Sequence, residues 1–526
     1  MDTKPKKKSR AKKSTTAVDD NKVEEIPIDE ENVEETKPKR KSRAKKSTKA
    51  DDENKVEVIP IDGENIEETK PKRKSRAKKS TEEQGTPSNK SNTDIVSKPV
   101  KRSNRKPTIP PEINIGTAGH VDEGKSTLIQ LLTGKFPDEH SEELKRGITI
   151  RLGYADCDVL KCPKCPDPEC WTIYDECPTC NSETSVERRV SFVDAPGHEI
   201  LMQVMLSGAA LMDGVMLVIS ANNKVPQPQT REHLAALTAL GITNIIVVQN
   251  KVELVSEEQA MQNYRDIKKF LKGTIAENAP VIPMSAMHGA NLDVLISALQ
   301  KFIPTPKRNP STAAQMMVAR SFDINKPGTK PKNLKGGVLG GSLLQGKLEV
   351  GSTISILPGL KRKKDKSVEY IPIRTQIKSI QIGAMGTVKE AYPGGLLAIQ
   401  TTLDPSMARS DNLAGNIVSA IGHEPPVIDE ITLLITLFDN VVGSEIQESV
   451  KPLKKGEPIL LTSGTATAVG SVINFSKNQA TFQIKPIIAL NDKIKIALSR
   501  RFGKRWRLIG WGEIHEHNQV EISFKD

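Results

Sequence analysis

The chain has 526 residues and a formal charge of +12, with 36% hydrophobic and only 3% aromatic residues, enough length for three or four domains with cores of their own. Residues 1–106 hold 30 Lys and Arg against 21 Asp and Glu, and the rest hold 47 against 44, so the body must meet any polyanion through local patches rather than an overall field. No run of 18 apolar residues and no apolar signal-peptide segment occurs, which argues against a membrane-spanning helix and predicts a soluble, cytoplasmic protein with no membrane partner.

In chain order, the first element is a repeat of period 33. The basic block that starts at Lys4 recurs from Lys37 and again from Lys70, with acidic spacers between the copies. The spacers hold too little apolar surface to offset chain ordering, so 1–107 reads as a disordered basic and acidic tail. Two roles stay open for it: a set of clamps on RNA phosphates, or a solvated low-complexity extension. Pro107, Pro110 and Pro111 end the tail ahead of an apolar strand over 112–116.

That strand leads into Gly119-His120-Val121-Asp122-Glu123-Gly124-Lys125-Ser126-Thr127 and a helix over 125–132. A glycine-rich turn between strand and helix presents main-chain N–H groups and a helix N-terminus to phosphate oxygens. Lys125 is expected to reach the β and γ phosphates, and the Ser126 hydroxyl to ligate Mg²⁺. Asp122, Glu123, Gly124 and Thr127 complete the expected nucleotide cradle, with Asp122 also a candidate Mg²⁺ ligand. The polar stretch Arg146-Gly147-Ile148-Thr149-Ile150 follows. There the Thr149 hydroxyl and carbonyl are expected to complete the Mg²⁺ and γ-phosphate shell as a first switch.

All six cysteines lie between Cys157 and Cys180. Cys162, Cys165, Cys177 and Cys180 are spaced C-x₂-C-x₁₁-C-x₂-C, two knuckles suited to a closed, structural Zn²⁺ site. Cys157 and Cys170 fall outside the paired spacing, although Cys170 is an alternative ligand. The insert, at about 157–183, is placed to sense nucleotide state or to carry a partner site.

A strand over 190–193 ends at Asp194-Ala195-Pro196-Gly197-His198. Asp194 is suited to hold Mg²⁺ through water, Gly197 to turn its N–H toward the γ phosphate, and His198 to orient the attacking water. No arginine finger is assignable, so a slow basal rate with partner activation is expected. Further strands over 214–219, 244–248 and 280–283 alternate with helices over 259–271 and 292–302, the pattern of a mostly parallel sheet covered on both faces. Asn250, Lys251 and Glu253, with Ser285 and Ala286, read as the guanine site: Asn250 to the Hoogsteen edge, Lys251 over the ring, Glu253 to N1–H and the 2-amino group, and the Ser285 and Ala286 amides near O6. A site built for those donors rejects a base that lacks them.

Past Pro304, Pro306 and Pro310 the pattern changes to short strands with glycine-rich turns, predicting two small β-barrels with a seam near Pro425. The expected division is a GTP-binding domain over 108–308, a β-barrel domain over 309–424 and a C-terminal β-barrel over 425–526. In the last, the run from Arg500 to Arg507 interleaves cations with Phe502 and Trp506. It reads as an RNA contact or as a hairpin with a solvated face.

On the five nucleotide motifs, and on the stretches 141–154, 208–214, 226–233, 320–328 and 506–512, the chain resembles the gamma subunit of the archaeal and eukaryotic translation initiation factor two, over about 108–526. The resemblance implies a GTPase domain followed by two β-barrels and a GTP-dependent carrier of methionyl initiator tRNA to the small ribosomal subunit, with hydrolysis as the release switch. It also implies a heterotrimer, with the alpha subunit on the second domain and the beta subunit on the GTPase domain. Two positions depart from the family pattern, which usually has His at 123 and Asp at 253. Glu123 near the triphosphate is expected to repel it, by about 1–4 kcal/mol for like charges ~4 Å apart, unless it points to solvent or a cation. Two rival functions follow: an elongation-type carrier of an aminoacyl-tRNA such as selenocysteinyl-tRNA, and a nucleotide-impaired RNA or subunit scaffold.

Overall fold

The computed structural model describes residues 105–136, 152–198, 201–364, 367–442, 448–503 and 505–524. The tail up to residue 104 and the first-switch stretch around Thr149 lie outside them.

The first body is a seven-stranded sheet in the order β3-β2-β4-β1-β5-β6-β7. It is built from β1 (Ile113–Ala118), β2 (Gly153–Lys161), β3 (Trp171–Thr172), β4 (Ser185–Asp194), β5 (Gly214–Ser220), β6 (Ile245–Asn250) and β7 (Val281–Pro283). Pairing is parallel from β4 through β7 and antiparallel for β2 and β3. The helices are α1 (Lys125–Thr133), α2 (Met202–Ala209), α3 (Pro228–Leu240), α4 (Glu257–Leu271) and α5 (Leu292–Phe302). β1, β5 and β6 are buried at every position, as strands covered by helices on both faces require. Two apolar clusters form the layers: one packs α1 and α5 on the sheet, the other α2, α3 and α4. α4 has a capping box, with the Ser256 side chain accepting from the Gln259 N–H, and α3 begins with Pro228, whose fixed φ suits a first helical turn.

The second body holds β8 (Gln315–Phe322), β9 (Val338–Gln345), β10 (Leu348–Glu349), β11 (Thr353–Lys364), β12 (Ser367–Ile382), β13 (Gly386–Val388), β14 (Glu390–Ala391), β15 (Leu396–Thr401) and β16 (Ile417–Ala420). Its main sheet runs β11-β16-β8-β9-β15-β12-β13, and the β11–β12 pairing joins the ends around an aliphatic core. The third is a closed barrel, β17-β20-β19-β18-β21-β22, made of β17 (Val427–Leu437), β18 (Pro458–Ser463), β19 (Ala466–Phe475), β20 (Gln479–Ala489), β21 (Ile496–Phe502) and β22 (Arg505–Gln519). The expected class, a mostly parallel nucleotide-binding sheet followed by two all-β barrels, is the one observed.

The bodies share cores. Ala497 and Leu508 of the C-terminal barrel belong to the cluster under α2 and α3, and Gln203 of α2 accepts the Thr462 hydroxyl at 3.0 Å. Between β2 of the first body and the second body lies a cavity of about 840 Å³, lined among others by Tyr154, Asp156, Arg189, Arg320, Phe322 and Gln381.

Candidate nucleotide site and metal centre

The loop between β1 and α1 is closed from several sides. Lys125 is nearly buried, and its Nζ donates to the His120 carbonyl at 2.6 Å. Ser126, in the first turn of α1, donates its hydroxyl to Oδ2 of Asp194 at 2.6 Å, while Thr117 donates to Oδ1 at 2.6 Å. The structure thus brings together two of the four expected Mg²⁺ ligands, Ser126 and Asp194, and adds Thr117, which sequence reasoning passed over. The available signal was a threonine inside an apolar strand just before the phosphate loop. A hydroxyl and a carboxylate are hard oxygen donors of the kind Mg²⁺ takes, so this pair fits the ion. Thr127 is half-buried in α1, and Asp122 is exposed at φ +61° with its carbonyl accepting from Lys251 Nζ at 2.6 Å.

Gly197 lies against this loop. A Cβ there would stand 2.6 Å from Lys125 Nζ and 3.2 Å from the Val121 nitrogen, so a side chain would push the ammonium aside and crowd the loop. His198 follows, half-buried, and its carbonyl accepts the Leu201 N–H at 2.9 Å.

Glu123 corrects the charge expectation. Its carboxylate is fully buried and turned toward the end of β5, accepting the Ser220 main-chain N–H and, at 3.4 Å, the Asn223 amide. Burial pushes its pKa above the usual carboxylate value, opposed by the Ser220 and Asn223 hydrogen bonds and by Lys125 and Lys251. It points neither to solvent nor to a cation: the satisfied partner is a main-chain N–H.

The base end is organised by Asn250. Its Nδ2 donates to the Glu123 carbonyl at 2.9 Å, and its Oδ1 accepts the Ala286 N–H at 3.0 Å, so one amide ties the phosphate loop to the Ser285-Ala286 segment. Gly124, at φ +92°, lies under that amide; a Cβ would meet Nδ2 at 2.3 Å. Lys251 takes φ +61°, and Glu253 is exposed in a single 3₁₀ turn, Val252–Leu254. The Ser285 hydroxyl lies 3.0 Å from His288 Nδ1.

The four paired cysteines converge. Cys162, Cys165, Cys177 and Cys180 place their sulfurs within 4.8 Å of one another, with Cys162 and Cys180 3.4 Å and Cys165 and Cys177 3.6 Å apart. A tetrahedral site with Zn–S of ~2.3 Å has S–S edges of about 3.8 Å, so the cluster fits zinc. Cys170 is buried beside the four but outside that set, and the Cys157 thiol turns to the Leu132 carbonyl. The insert packs on α5, where Asp167 accepts from Ser297 at 2.6 Å and pairs with Lys301 at 2.5 Å.

The basic run divides. Arg500 is buried, donating to the Lys451 carbonyl at 2.7 Å and pairing with Glu457, and Arg507 pairs with Glu232 of α3 at 3.2 Å. Arg501 and Arg505 are exposed. The uniform RNA-contact expectation therefore fails for Arg500 and Arg507, whose charges are spent inside the fold.

The glycine-rich loop between β1 and α1, the Ser126–Asp194 pair beside it and the two trailing barrels fit a GTPase of the translation-factor class. The family model "Elongation factor Tu GTP binding domain" matches 111–305, and "Initiation factor eIF2 gamma, C terminal" matches 429–514. Translation initiation factor 2 subunit gamma of Pyrococcus horikoshii is 52% identical over 412 residues, spanning 78% of this chain and 99% of the relative. That of Methanocaldococcus jannaschii is 53% identical over 403 residues, spanning 77% and 97%. The chain belongs to the family of translation initiation factor 2 gamma subunits, and it is a translation initiation GTPase. Among solved structures, a bacterial selenocysteine-specific elongation factor matches with TM-score 0.59 at 24% identity, over 77% of this chain and 58% of that one. Translation elongation factor SelB of Methanococcus maripaludis with a GTP analogue matches at 0.56 and 22%, over 78% and 80%. These two likenesses are of fold.

Proposed function

We propose that the chain binds GTP and GDP with Mg²⁺ and carries methionyl initiator tRNA to the small ribosomal subunit, as one subunit of a heterotrimer with alpha and beta partners, in the cytoplasm. The observation that carries the nucleotide reading is the convergence of Lys125, Ser126, Asp194 and Gly197 on one loop, with Asn250 linking it to Ser285-Ala286. Ser126 and Asp194 would hold the Mg²⁺, which supplies charge neutralisation at the β and γ phosphates. Lys125 exchanges its bond to the His120 carbonyl for phosphate oxygens, Gly197 offers its N–H to the γ phosphate, and His198 orients water. Thr149 closes the shell from the first switch. Asp122, Glu123, Gly124 and Thr127 serve through the loop and the first turn of α1, while Lys251, Glu253, Ser285 and Ala286 frame guanine. The inward turn of Glu123 toward Ser220 and Asn223 speaks against a nucleotide-impaired scaffold. Zn²⁺ on the four cysteines is structural, since four thiolates leave no open position.

For the RNA, the cavity between β2 and the second body is lined by two aromatic residues, Tyr154 and Phe322, beside Arg320. Such a mixture suits a base stacked on a ring and a backbone phosphate near the guanidinium. The test is equilibrium binding of methionyl initiator tRNA against elongator aminoacyl-tRNAs, with GTP or GDP and the partner subunits present. Tight binding only of initiator tRNA and only with GTP is expected. Preference for another aminoacyl-tRNA would move the chain to the elongation class, and nucleotide-independent binding would restore the scaffold reading.

A further inference from the structure

Two consecutive residues of α3 face two different bodies. Glu232, 6% exposed, pairs with Arg507 of β22 at 3.2 Å. His233, with no exposed surface, accepts the Gly119 main-chain N–H on Nδ1 at 2.8 Å. Neighbouring helical positions are ~100° apart around the axis, which sends one side chain to the C-terminal barrel and the next to the start of the phosphate loop. The His233 ring is neutral, its pKa pushed down to about 3 by burial, with Lys125 and His120 adding to the shift. A neutral imidazole that accepts on Nδ1 carries its proton on Nε2, and Nε2 is buried without a hydrogen-bond partner among the described residues. The site therefore sacrifices one buried donor to keep Nδ1 on Gly119. The outer face of α3 is covered by the barrel: Leu508 and Ala497 share its apolar cluster, and Arg507 also donates to the Val442 carbonyl at 3.5 Å.

We propose that His233 is a positioning residue of the phosphate loop, and that the Glu232–Arg507 pair makes its hold depend on the docked C-terminal barrel. Barrel occupancy or displacement by a partner would then be read as nucleotide retention, with no contact between the barrel and the nucleotide. The inference rests on the proposal that this loop binds GTP and GDP, but its structural half does not.

The experiment uses the full chain and two readouts. Amide hydrogen exchange of a peptide spanning 116–128, in nucleotide-free protein, reports the loop directly. Release of a fluorescent GDP derivative reports retention. Arg507→Ala is expected to speed exchange in that peptide and to accelerate GDP release several-fold, and His233→Leu about tenfold. His233→Asn, which restores an acceptor near the position of Nδ1, returns both readouts toward wild type. The Arg507→Ala/His233→Leu pair is no faster than His233→Leu alone, as expected of residues acting in series. Unchanged loop exchange in a cooperatively folded Arg507→Ala protein overturns the proposal, as does full additivity in the pair. Should His233→Leu fail to fold, Arg507→Ala against His233→Asn decides. Absence of GDP binding by the wild type would sink the nucleotide reading, while exchange still judges the coupling.

Discussion

Ser126 reaches Asp194 across 68 residues of chain and donates its hydroxyl to it at 2.6 Å. The contact joins the first turn of α1 to the end of β4 and sets two hard oxygen donors side by side at the phosphate loop.

Removing either partner should therefore be felt through the metal. Ser126→Ala and Asp194→Asn are expected to bind GDP much as wild type does in EDTA, and to lose ~10–100-fold of the affinity that millimolar Mg²⁺ adds, the equivalent of one charged hydrogen-bonded contact. Titrations of GDP at fixed Mg²⁺ concentrations check this; an equal loss with and without Mg²⁺ would reject the pair as metal ligands.

Glu123 makes a pH prediction of unusual sign. Its folded-state pKa is raised by burial, so the ionised carboxylate costs stability above that pKa, and the cost disappears as pH falls toward the unfolded value. Glu123→Gln lacks the charge at every pH. Thermal melts should show the variant gaining on wild type at pH 8 and the gain shrinking toward pH 5. A pH-independent difference would mean that the carboxylate is not held in this environment.

Zinc content should follow the four-sulfur set and not the cysteine count. Cys177→Ser is expected to lose about one equivalent of zinc by elemental analysis, whereas Cys170→Ser and Cys157→Ser keep it. Loss of zinc from Cys170→Ser would bring that thiol into the site.

The basic run separates by burial. Arg500→Ala leaves Glu457 and two carbonyls without their partner and should destabilise the C-terminal barrel by about 3 kcal/mol, the range for breaking a buried pair. Arg501→Ala should leave the melting temperature in place while weakening tRNA binding and lowering the salt slope by about one. An unchanged slope would remove Arg501 from the RNA surface.

Much of this molecule is written locally. The phosphate loop, the β-branched strands and the paired cysteines depend on neighbours within a few residues, and their periodicity and spacing are visible in the chain. Glu123 is different, because whether its side chain faces phosphate or Ser220 depends on β5, almost a hundred residues away. Arg500 and Arg507 look like solvated cations until Glu457 and Glu232 are folded against them. His233 closes the stretch 226–233 that carries part of the family resemblance, but nothing local gives it a role, since its partner is a main-chain N–H in another element. For Asn250, the sequence motif pointed to the base, and its amide bonds to Glu123 and Ala286 became visible only once β6, the loop and the 285–286 turn were in place.

The two hydrogen bonds of the Asn250 side chain have a thermodynamic reading. The same amide braces the ground on which guanine rests and the ground on which the phosphates rest, so neither half of a nucleotide meets a surface that is indifferent to the other. By reciprocity, whatever firmness the base lends to the loop, the phosphates lend back to the base pocket in equal measure. Guanosine alone and a bare polyphosphate are then each poor guests, and discrimination between guanine and adenine nucleotides grows from the monophosphates to the triphosphates.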